Sequence, residues 1–330
     1  MRYRMPLTAS RIIRNHTEKS FNDLALQLFH YQYKHNNIYR KYVNMLGVEV
    51  SKIDNYKACP FLPISLFKKH VITTQEYTPD HFFESSGTSG QTSKHYFNDL
   101  AIYEQSFLKT FEHFYGAVSK YVIFALLPSY ADNPHASLLY MANRLIEESS
   151  FSDSGFYHQN TSLLNEKLLK AQKQNNKCIL LGVSFALLDF AEKAQHPYPE
   201  LIIIETGGMK GKRKEIVRQA LHDVLCRQFH VPVVHSEYGM TELFSQAYSK
   251  GHGVFNCPPW MKVLCRDIHD PLDTLKNGGS GCLNIIDLAN KDSVSFIATD
   301  DMGTVFNDGS FSVSGRLDNT MARGCNLMIY

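Results

Sequence analysis

The chain has 330 residues and a formal net charge of +2, with 44% hydrophobic and 20% charged residues. This composition is typical of a globular protein with a large core, and the near-neutral charge gives no support for binding to nucleic acid or to a membrane surface. The sequence lacks a run of about 18 apolar residues, so we expect no membrane span. Because the basic start "MRYRMPLTASRIIRNH" has no apolar core, we also expect no signal peptide.

The helical pattern comes first along the chain. Residues 8–45 place apolar side chains at helical spacing, and two prolines in "CPFLPISLF" then break the pattern. We therefore expect residues 1–80 to form a helical segment that packs on the main domain.

Short buried strands follow. Four apolar runs are too short for helices and rich in branched residues, and each predicts a strand; they cover residues 121–128, 178–184, 201–206 and 231–239. The clearest helix between them is "KGKRKEIVRQALHDVLCRQF", whose predicted apolar face consists of Ile216, Ala220, Val224 and Leu225. Strands that alternate with helices predict a mainly parallel α/β core over residues 81–254.

The texture changes near residue 255. Short segments such as "GCLNIID" and "SVSFIAT" are separated by Gly, Asn and Asp, which predicts antiparallel strands and hairpins. We expect a small antiparallel subdomain over 255–330, and the three regions together as one structural unit, 1–330.

Polar segments follow several of the predicted strands at their carboxyl ends. "PSY" follows the first, "ETGG" ends the third and "HSEYGMTE" ends the fourth. Ligands bind at this edge of open α/β sheets, so these segments are expected to line a binding site.

A serine–glycine loop precedes the first of these strands. Glycines let the backbone approach a ligand, successive N–H groups form an anion-binding concavity, and Lys94 adds a positive charge. The Walker spacing is absent, and a solvated surface loop is an equally weighted alternative. The loop residues are Ser85, Ser86, Gly87, Thr88, Ser89 and Gly90.

The segment "EYGMTE" combines an aromatic ring, a glycine, a hydroxyl and two carboxylates. Thr241 is suited to donate to a phosphate, Glu242 to ligate Mg²⁺, and Tyr238 to stack on a base. The alternative is a helix N-terminus, with Thr241 and Glu242 in its first turn.

A third candidate lies in "FIATDDMGTVFNDGSFSVSGRLDN". Asp301 and Arg316 flank a predicted hairpin built on residues 307–309. The carboxylate suits ribose hydroxyls and the arginine a ribose or phosphate oxygen. The alternative is an exposed charge pair on a surface hairpin.

In order, these segments resemble the motifs of the adenylate-forming superfamily of acyl-CoA synthetases, peptide-synthetase adenylation domains and luciferases. "SSGTSG" is similar to its phosphate-binding loop and "EYGMTE" to its YGxTE motif. "TDDMG" resembles its TGD motif with Asp300 in place of glycine, and "GRLDNTMARG" resembles its hinge motif.

The whole chain resembles the acyl-protein synthetase (LuxE) family of bacterial luminescence, the ligase component of a fatty-acid reductase complex. Segments including "PFLPISLFK", "LLPSYADNPHASLLYMANRLI", "ETGGMKGKRKEI" and "RGCNLM" carry this resemblance. It implies the large N-terminal-type domain of adenylate-forming enzymes, in which mainly parallel sheet layers are flanked by helices beside a small antiparallel β subdomain. The mobile C-terminal domain of that superfamily, with its catalytic lysine, is expected to be absent, and Lys94 or Lys210 is the proposed substitute.

The resemblance also implies roles for individual residues. The loop from Ser85 to Gly90 would wrap the ATP phosphates, Thr241 would contact the α-phosphate and Glu242 would hold Mg²⁺. The remaining nucleotide contacts are assigned to Gly207 and Gly208 along the adenine, Tyr238 stacked on it with Gly239 beside it, and Asp301 and Arg316 at the ribose.

Seven widely spaced cysteines include no CxxC pair, so neither a zinc site nor a disulfide framework is predicted, and a cytoplasmic protein with reduced thiols is expected. Cys325 best matches the cysteine that carries the acyl group in the luminescence family. The alternative is a small buried apolar residue.

The reaction implied joins a carboxylic acid, expected to be a fatty acid, to AMP with the use of ATP and Mg²⁺. The acyl group then moves to a cysteine thiol and on to a partner, either an acyl-accepting reductase or a carrier protein. Direct delivery to CoA or an acyl carrier protein is one alternative, and a catalytically silent binding protein is another.

Overall fold

The computed structural model describes residues 7–85, 92–194, 196–207, 217–275 and 278–317. The α-helices in these ranges are α1 (Ala9–Ile12), α2 (Glu18–His35), α3 (Asn37–Met45), α4 (Ala101–Tyr115), α5 (Ser137–Glu148), α6 (Thr161–Lys173), α7 (Ser184–Ala191) and α8 (Arg218–Phe229). The strands are β1 (Leu62–Pro63), β2 (His81–Glu84), β3 (Lys94–Phe97), β4 (Tyr121–Leu126), β5 (Gly155–Phe156), β6 (Lys177–Val183), β7 (Ile202–Thr206), β8 (His235–Tyr238), β9 (Ala247–Ser249), β10 (Val254–Phe255), β11 (Met261–Arg266), β12 (Ser280–Asp287), β13 (Phe296–Val305) and β14 (Phe311–Arg316).

The predicted parallel sheet is confirmed. Its strand order is β5-β4-β6-β7-β8-β9, in which all neighbours are parallel except the last pair. Every residue of β4 is buried, as expected for a parallel strand whose sheet is covered by helices. The largest difference is at the fourth predicted strand, where only residues 235–238 of 231–239 pair with neighbours.

The predicted buried face of α8 is confirmed only at Leu225. Ala220 and Val224 are only half-buried, and Ile216 lies outside the described residues. The buried apolar residues of α8 form a row spaced at i, i+4 and i+8, which consists of Leu221, Leu225 and Phe229. The helix packs on α7, where the Phe229 ring lies 5.6 Å from the Phe190 ring between centroids. The sequence pattern was ambiguous because two adjacent apolar rows run along this helix.

The predicted antiparallel strands after residue 255 are also confirmed. They form a sheet in the order β10-β14-β13-β12-β11. The sheet gains a further strand from the N-terminal region, because β1 pairs in parallel with β13 through Leu62 opposite Ile297. The N-terminal segment, predicted as helical, therefore also contributes a strand to the C-terminal sheet.

A separate two-stranded hairpin carries the flanks of the serine–glycine loop. In this hairpin β2 and β3 pair in antiparallel register, with Glu84 opposite Lys94. Phe83 and Phe97 from its two strands pack on Phe244, which lies after β8. The hairpin is thus fixed against the carboxyl edge of the parallel sheet.

Within the described ranges, none of the helices has both the length and the apolar character needed to cross a membrane.

Candidate active site

The two ends of the serine–glycine loop are fastened to each other. The Ser85 N–H donates to the Ser93 carbonyl at 3.0 Å, and the Ser93 N–H donates to Ser85 Oγ at 2.9 Å. Thr92 Oγ1 adds a hydrogen bond to Glu84 Oε1 at 2.5 Å. Ser86, Gly87, Thr88, Ser89 and Gly90 lie outside the described residues, so their contact with phosphates stays a prediction.

Lys94 lies on β3, directly after the loop. Its Nζ is 4.0 Å from Glu84 Oε1 and 4.3 Å from the centroid of the Phe82 ring. The lysine therefore contacts the opposite strand of its own hairpin. The second lysine proposed from the sequence, Lys210, lies outside the described residues.

Thr241 and Glu242 lie in a turn that joins β8 to β9, so the alternative of a helix N-terminus is wrong. The physical reason is the pairing of Tyr238 with Ala247 in antiparallel register, which requires the chain to reverse direction between them. Gly239 begins this turn. A Cβ at Gly239 would overlap Oε1 of buried Glu237, so a larger residue here would displace that carboxylate.

Buried polar groups from the C-terminal sheet hold this turn. The Asp287 carboxylate accepts from the N–H of Phe244 at 2.9 Å and from the N–H of Ser245 at 2.8 Å. Asn290 accepts from the Phe244 N–H at 3.0 Å and donates to the Glu242 carbonyl at 2.8 Å. Burial raises the pKa of Asp287, although its hydrogen bonds oppose this rise.

The support of the turn continues into α4 as a chain of hydroxyls. The Ser245 hydroxyl donates to Asp287 Oδ1 at 2.6 Å, and its oxygen lies 3.0 Å from Ser106 Oγ. Ser106 Oγ in turn accepts from Trp260 Nε1 at 3.0 Å. The Ser245 hydroxyl proton is used in the bond to Asp287, so in the bond between the two serines Ser106 must be the donor. Every donor in this chain therefore points from Trp260 towards Asp287.

His95 fixes the turn from the hairpin side. Its Nδ1 lies 3.0 Å from the Thr241 carbonyl, and its Nε2 lies 2.7 Å from Ser293 Oγ. A carbonyl only accepts, so Nδ1 carries the proton and Nε2 accepts from the serine. Burial lowers the pKa of His95 to about 4, although the bond to Thr241 opposes this, so the ring is neutral near pH 7. Sequence reasoning missed His95, since nothing in "TSKHYF" distinguishes it from a surface residue.

The Glu242 side chain is buried, which raises its pKa. A hydrogen bond from Ser93 and the positive charges of Arg316 and Lys68 act in the opposite direction. Among the described residues, no cluster of three or more His, Cys, Asp or Glu side chains suits a metal ion. Mg²⁺ in nucleotide sites is held by one or two carboxylates together with phosphates, so a single buried carboxylate fits that ion.

Asp301 joins the end of the parallel sheet to the predicted hairpin, which is confirmed as β13–β14. Its Oδ1 accepts from Arg316 Nε at 3.0 Å, and its Oδ2 accepts from the Tyr238 hydroxyl at 2.8 Å. Asp301 is only 7% exposed, whereas the Arg316 side chain is 77% exposed. The alternative of an exposed charge pair is therefore wrong for Asp301, which is buried, and holds only for Arg316. The charge of Asp301 raises the pKa of Arg316.

The Tyr238 ring is buried between the two sheets. It packs against Phe311 at 5.3 Å and Phe255 at 5.8 Å between ring centroids. Gly207 adopts a positive φ of 65°, and its carbonyl accepts from Ser184 Oγ at 3.1 Å. Contact of Tyr238 and Gly207 with adenine stays a prediction, and Gly208 lies outside the described residues.

Sequence reasoning also missed the role of two buried carboxylates on adjacent strands. Glu205 accepts from Arg218 Nε at 3.2 Å, and Glu237 accepts from the Thr206 hydroxyl. Burial raises the pKa of Glu237 to about 7, and the charge of Glu205 adds to this rise. The available signal was their place one residue before a strand end, inside the segments "ETGG" and "EYGMTE".

The structure thus brings two groups of predicted residues to one edge. Ser85 is hydrogen-bonded to Ser93, which lies near Glu242 and opposes the rise that burial causes in its pKa. Asp301 is hydrogen-bonded to both Tyr238 and Arg316. The charge of Arg316 acts on Glu242, so the two groups are electrostatically linked. Cys325 lies outside the described residues.

This parallel sheet, with its adjoining antiparallel sheet and polar carboxyl edge, is the fold of the large domain of adenylate-forming ligases. The family model described as "Acyl-protein synthetase, LuxE" matches residues 5–330, and the chain belongs to that family. A comparison with curated proteins gave no sequence match.

Solved structures with a similar fold are distant in sequence. An open conformation of 2-hydroxyisobutyryl-CoA ligase with 2-HIB-AMP and CoA is 13% identical with a TM-score of 0.65, over 92% of this chain and 70% of that one. The same ligase in the thioesterification state is 14% identical with a TM-score of 0.66, over 96% and 73%. ATP-bound MatB from Rhodopseudomonas palustris is 12% identical with a TM-score of 0.50, over 71% and 47%. The chain therefore spans less than half of MatB.

Proposed function

We propose that the protein activates a carboxylic acid with ATP and passes the acyl group to a thiol. In the first step a carboxylate oxygen forms a bond to the α-phosphorus of ATP, and the bond to pyrophosphate breaks. In the second step a thiol loses its proton and attacks the acyl carbon, and AMP leaves. Family membership supports the ATP-dependent ligase class, and a fatty acid is the substrate that we favour.

The observation that carries this proposal is the meeting of Glu242, Ser93 and Arg316 at one sheet edge. Glu242 lies near Ser93, at the base of the serine–glycine loop, and this neighbour opposes the rise in the pKa of its carboxyl group. Arg316 extends from the hairpin that also carries Asp301. The triphosphate would then lie between the loop and the turn, with the ribose near Asp301. Acyl adenylation depends mostly on positioning and charge neutralisation, and this edge supplies both hydrogen-bond donors and cations.

Glu242 is the residue that we assign to Mg²⁺, and the Thr241 hydroxyl the one that we assign to the α-phosphate. When bound, the ion would neutralise charge on the transferring phosphate. Glu242 would supply one carboxylate ligand, and phosphate oxygens together with water would complete the coordination, as is usual for Mg²⁺ in nucleotide sites.

For the second step we propose Cys325 as the acyl-accepting thiol, with an acyl-accepting reductase or carrier protein as the next acceptor. Support for this step comes from the family and from the sequence match around "RGCNLM". A cytoplasmic location suits a protein that uses ATP and reduced thiols.

The adenylation step is tested by incubating the purified protein with ATP, Mg²⁺ and fatty acids from short to long chain length. We expect pyrophosphate release that depends on the acid. Absence of pyrophosphate with every acid in the panel would contradict the proposal. Acyl-CoA formation by the chain alone would instead support direct delivery to CoA.

The thiol step is tested with a radiolabelled acid and the Cys325→Ser variant. We expect wild-type protein to retain a label that hydroxylamine removes, and the variant to release pyrophosphate without retaining label. Cys226→Ser is the matched control, because Cys226 is half-buried on α8 and is expected to leave labelling unchanged. Full labelling of Cys325→Ser would exclude this cysteine as the acceptor.

A further inference from the structure

We propose that His95 is a positioning residue that couples the hairpin of the phosphate loop to the Thr241–Glu242 turn. This inference rests on the proposed function, because it assigns the geometry of the adenylation site to a residue that need not touch the nucleotide. Its physical basis is the pair of hydrogen bonds, one to the Thr241 carbonyl and one to Ser293 Oγ.

The His95 ring has little freedom to move. The residue is 1% exposed, and its ring packs against Phe244 at 4.6 Å and against the edge of Phe67 at 5.8 Å between centroids. Both ring nitrogens are paired, so a rotation of the ring would break two hydrogen bonds in a site closed to water. The ring therefore acts as a fixed link.

His95 lies two residues after Ser93 on the same side of the hairpin. Ser93 closes the base of the serine–glycine loop and lies near the Glu242 side chain, where it opposes the rise that burial causes in the pKa. The segment 93–95 thus contacts the backbone of Thr241 through His95 and lies beside the side chain of Glu242 through Ser93. A shift of this stretch would change the position of the loop base and of both turn residues together.

The second bond of His95 closes a ring of contacts around the turn. Ser293, the partner of His95 Nε2, donates its backbone N–H to the Asn290 carbonyl at 3.3 Å. The Asn290 side chain donates to the Glu242 carbonyl at 2.8 Å. The carbonyl of Thr241 is therefore bound by His95 from the hairpin, and the next carbonyl, that of Glu242, is bound by Asn290 from the segment after β12. His95 connects the two, because it also contacts Ser293 in that segment.

Two substitutions separate this role from simple packing. His95→Phe keeps an aromatic ring against Phe67 and Phe244 but removes both hydrogen bonds. His95→Asn keeps a donor at the place of Nδ1 and loses the bond to Ser293. His113→Phe is the matched control, because His113 is exposed on α4.

The experiment measures acid-dependent pyrophosphate release and the hydrogen exchange of peptides covering residues 240–246. We expect His95→Phe to lower kcat by about 100-fold, since small displacements in a reacting site have effects of this size, while KM for the acid stays within about twofold. Exchange in the turn should be about fivefold faster, in line with one lost hydrogen bond. His95→Asn should recover most of the kcat and most of the slow hydrogen exchange of the turn. His113→Phe should have the kcat and the exchange rates of wild type.

The outcomes distinguish the inference from the proposed function. If wild-type protein releases no pyrophosphate but exchange in the turn responds to His95→Phe and recovers in His95→Asn, the coupling stands and the proposed function fails. If wild-type protein is active and both His95 variants keep its kcat and exchange rates, the inference is overturned. The inference would also be overturned if His95→Phe and His95→Asn lost activity equally and in proportion to their loss of thermal stability.

Discussion

At the scale of single residues, Glu237 is a carboxyl group whose pKa is raised by its surroundings. The carboxyl group is buried next to the binding edge, accepts a hydrogen bond from Thr206 and lies close enough to Glu205 for the two charges to interact. Burial is the largest cause that raises its pKa from 4.5 to about 7. Glu237 is therefore about half protonated at pH 7, which lets it lie beside Gly239 without a counter-ion.

The raised pKa of Glu237 predicts a pH-dependent loss of stability. Between pH 4.5 and about pH 7 the folded protein holds this proton and the unfolded chain releases it, so the free energy of unfolding falls as pH rises. The full loss, about 3 kcal/mol, is reached above the folded pKa. In Glu237→Gln, which keeps an acceptor for Thr206, this loss should be absent.

The measurement is urea unfolding of wild type and Glu237→Gln at several pH values, compared as a difference so that other titrating groups cancel. We expect the stability of the variant relative to wild type to increase from pH 4.5 to pH 7 and then to level off. Glu200→Gln is the control, since Glu200 is exposed. A constant difference across this range would show that Glu237 does not titrate there.

At the scale of elements, the turn between β8 and β9 depends on the C-terminal sheet rather than on its own sequence. Asp287 at the end of β12 accepts from two turn N–H groups, from the Ser245 hydroxyl and from the Ala289 N–H. A turn of this kind has few internal hydrogen bonds, so its shape is set by a buried carboxylate from another sheet.

Replacing this carboxylate should therefore affect both stability and the site. Asp287→Ala leaves buried N–H groups unpaired, and we expect a loss of about 3 kcal/mol in the free energy of unfolding. Acid-dependent pyrophosphate release should fall as well, because Thr241 and Glu242 lose their support. Thermal unfolding and steady-state kinetics measure the two effects. Asp270→Ala, at an exposed loop position, should change neither quantity, and an equal effect of both variants would contradict this role.

Local patterns were enough to predict the elements but not their long-range contacts. The run of buried residues in β4 and the Asn-Asp-Gly hairpin before β14 are both local, and each was predicted. The helix alternative after Tyr238 failed because pairing with β9 decides that segment, and β9 has only three residues. His95 and Asp287 act on residues more than forty positions away in sequence, so their partners have no local signature.

At the scale of the whole molecule, the N-terminal helices are joined to the C-terminal sheet through buried polar contacts. Gln32 on α2 donates to the Asn290 carbonyl at 2.9 Å and to Ser295 Oγ at 3.0 Å, and it accepts from the Ser295 N–H at 2.9 Å. The parallel pairing of β1 with β13 adds a second connection. These contacts favour a single cooperative unit.

Gln32→Leu should test this unity. The substitution keeps the side-chain volume close but leaves the buried Ser295 N–H unpaired and removes the amide donor to the Asn290 carbonyl and to Ser295 Oγ, so we expect a loss of about 2–4 kcal/mol. The loss should appear to the same extent in hydrogen exchange of α2 and of β12. Gln219→Leu on the exposed side of α8 is the control. A loss confined to α2 would show that the N-terminal segment unfolds separately.

Trp260 is the single tryptophan of the chain, and its indole N–H begins the line of hydroxyls that ends at Asp287. Indole emission shifts in wavelength with the polarity and hydrogen bonding around the ring. Trp260 is therefore an intrinsic fluorescent probe, and its emission wavelength depends on the hydrogen bonds that support the turn with Thr241 and Glu242. The emission wavelength of Trp260, whose ring lies between α4 and β11, should therefore change when the turn changes, without an attached dye.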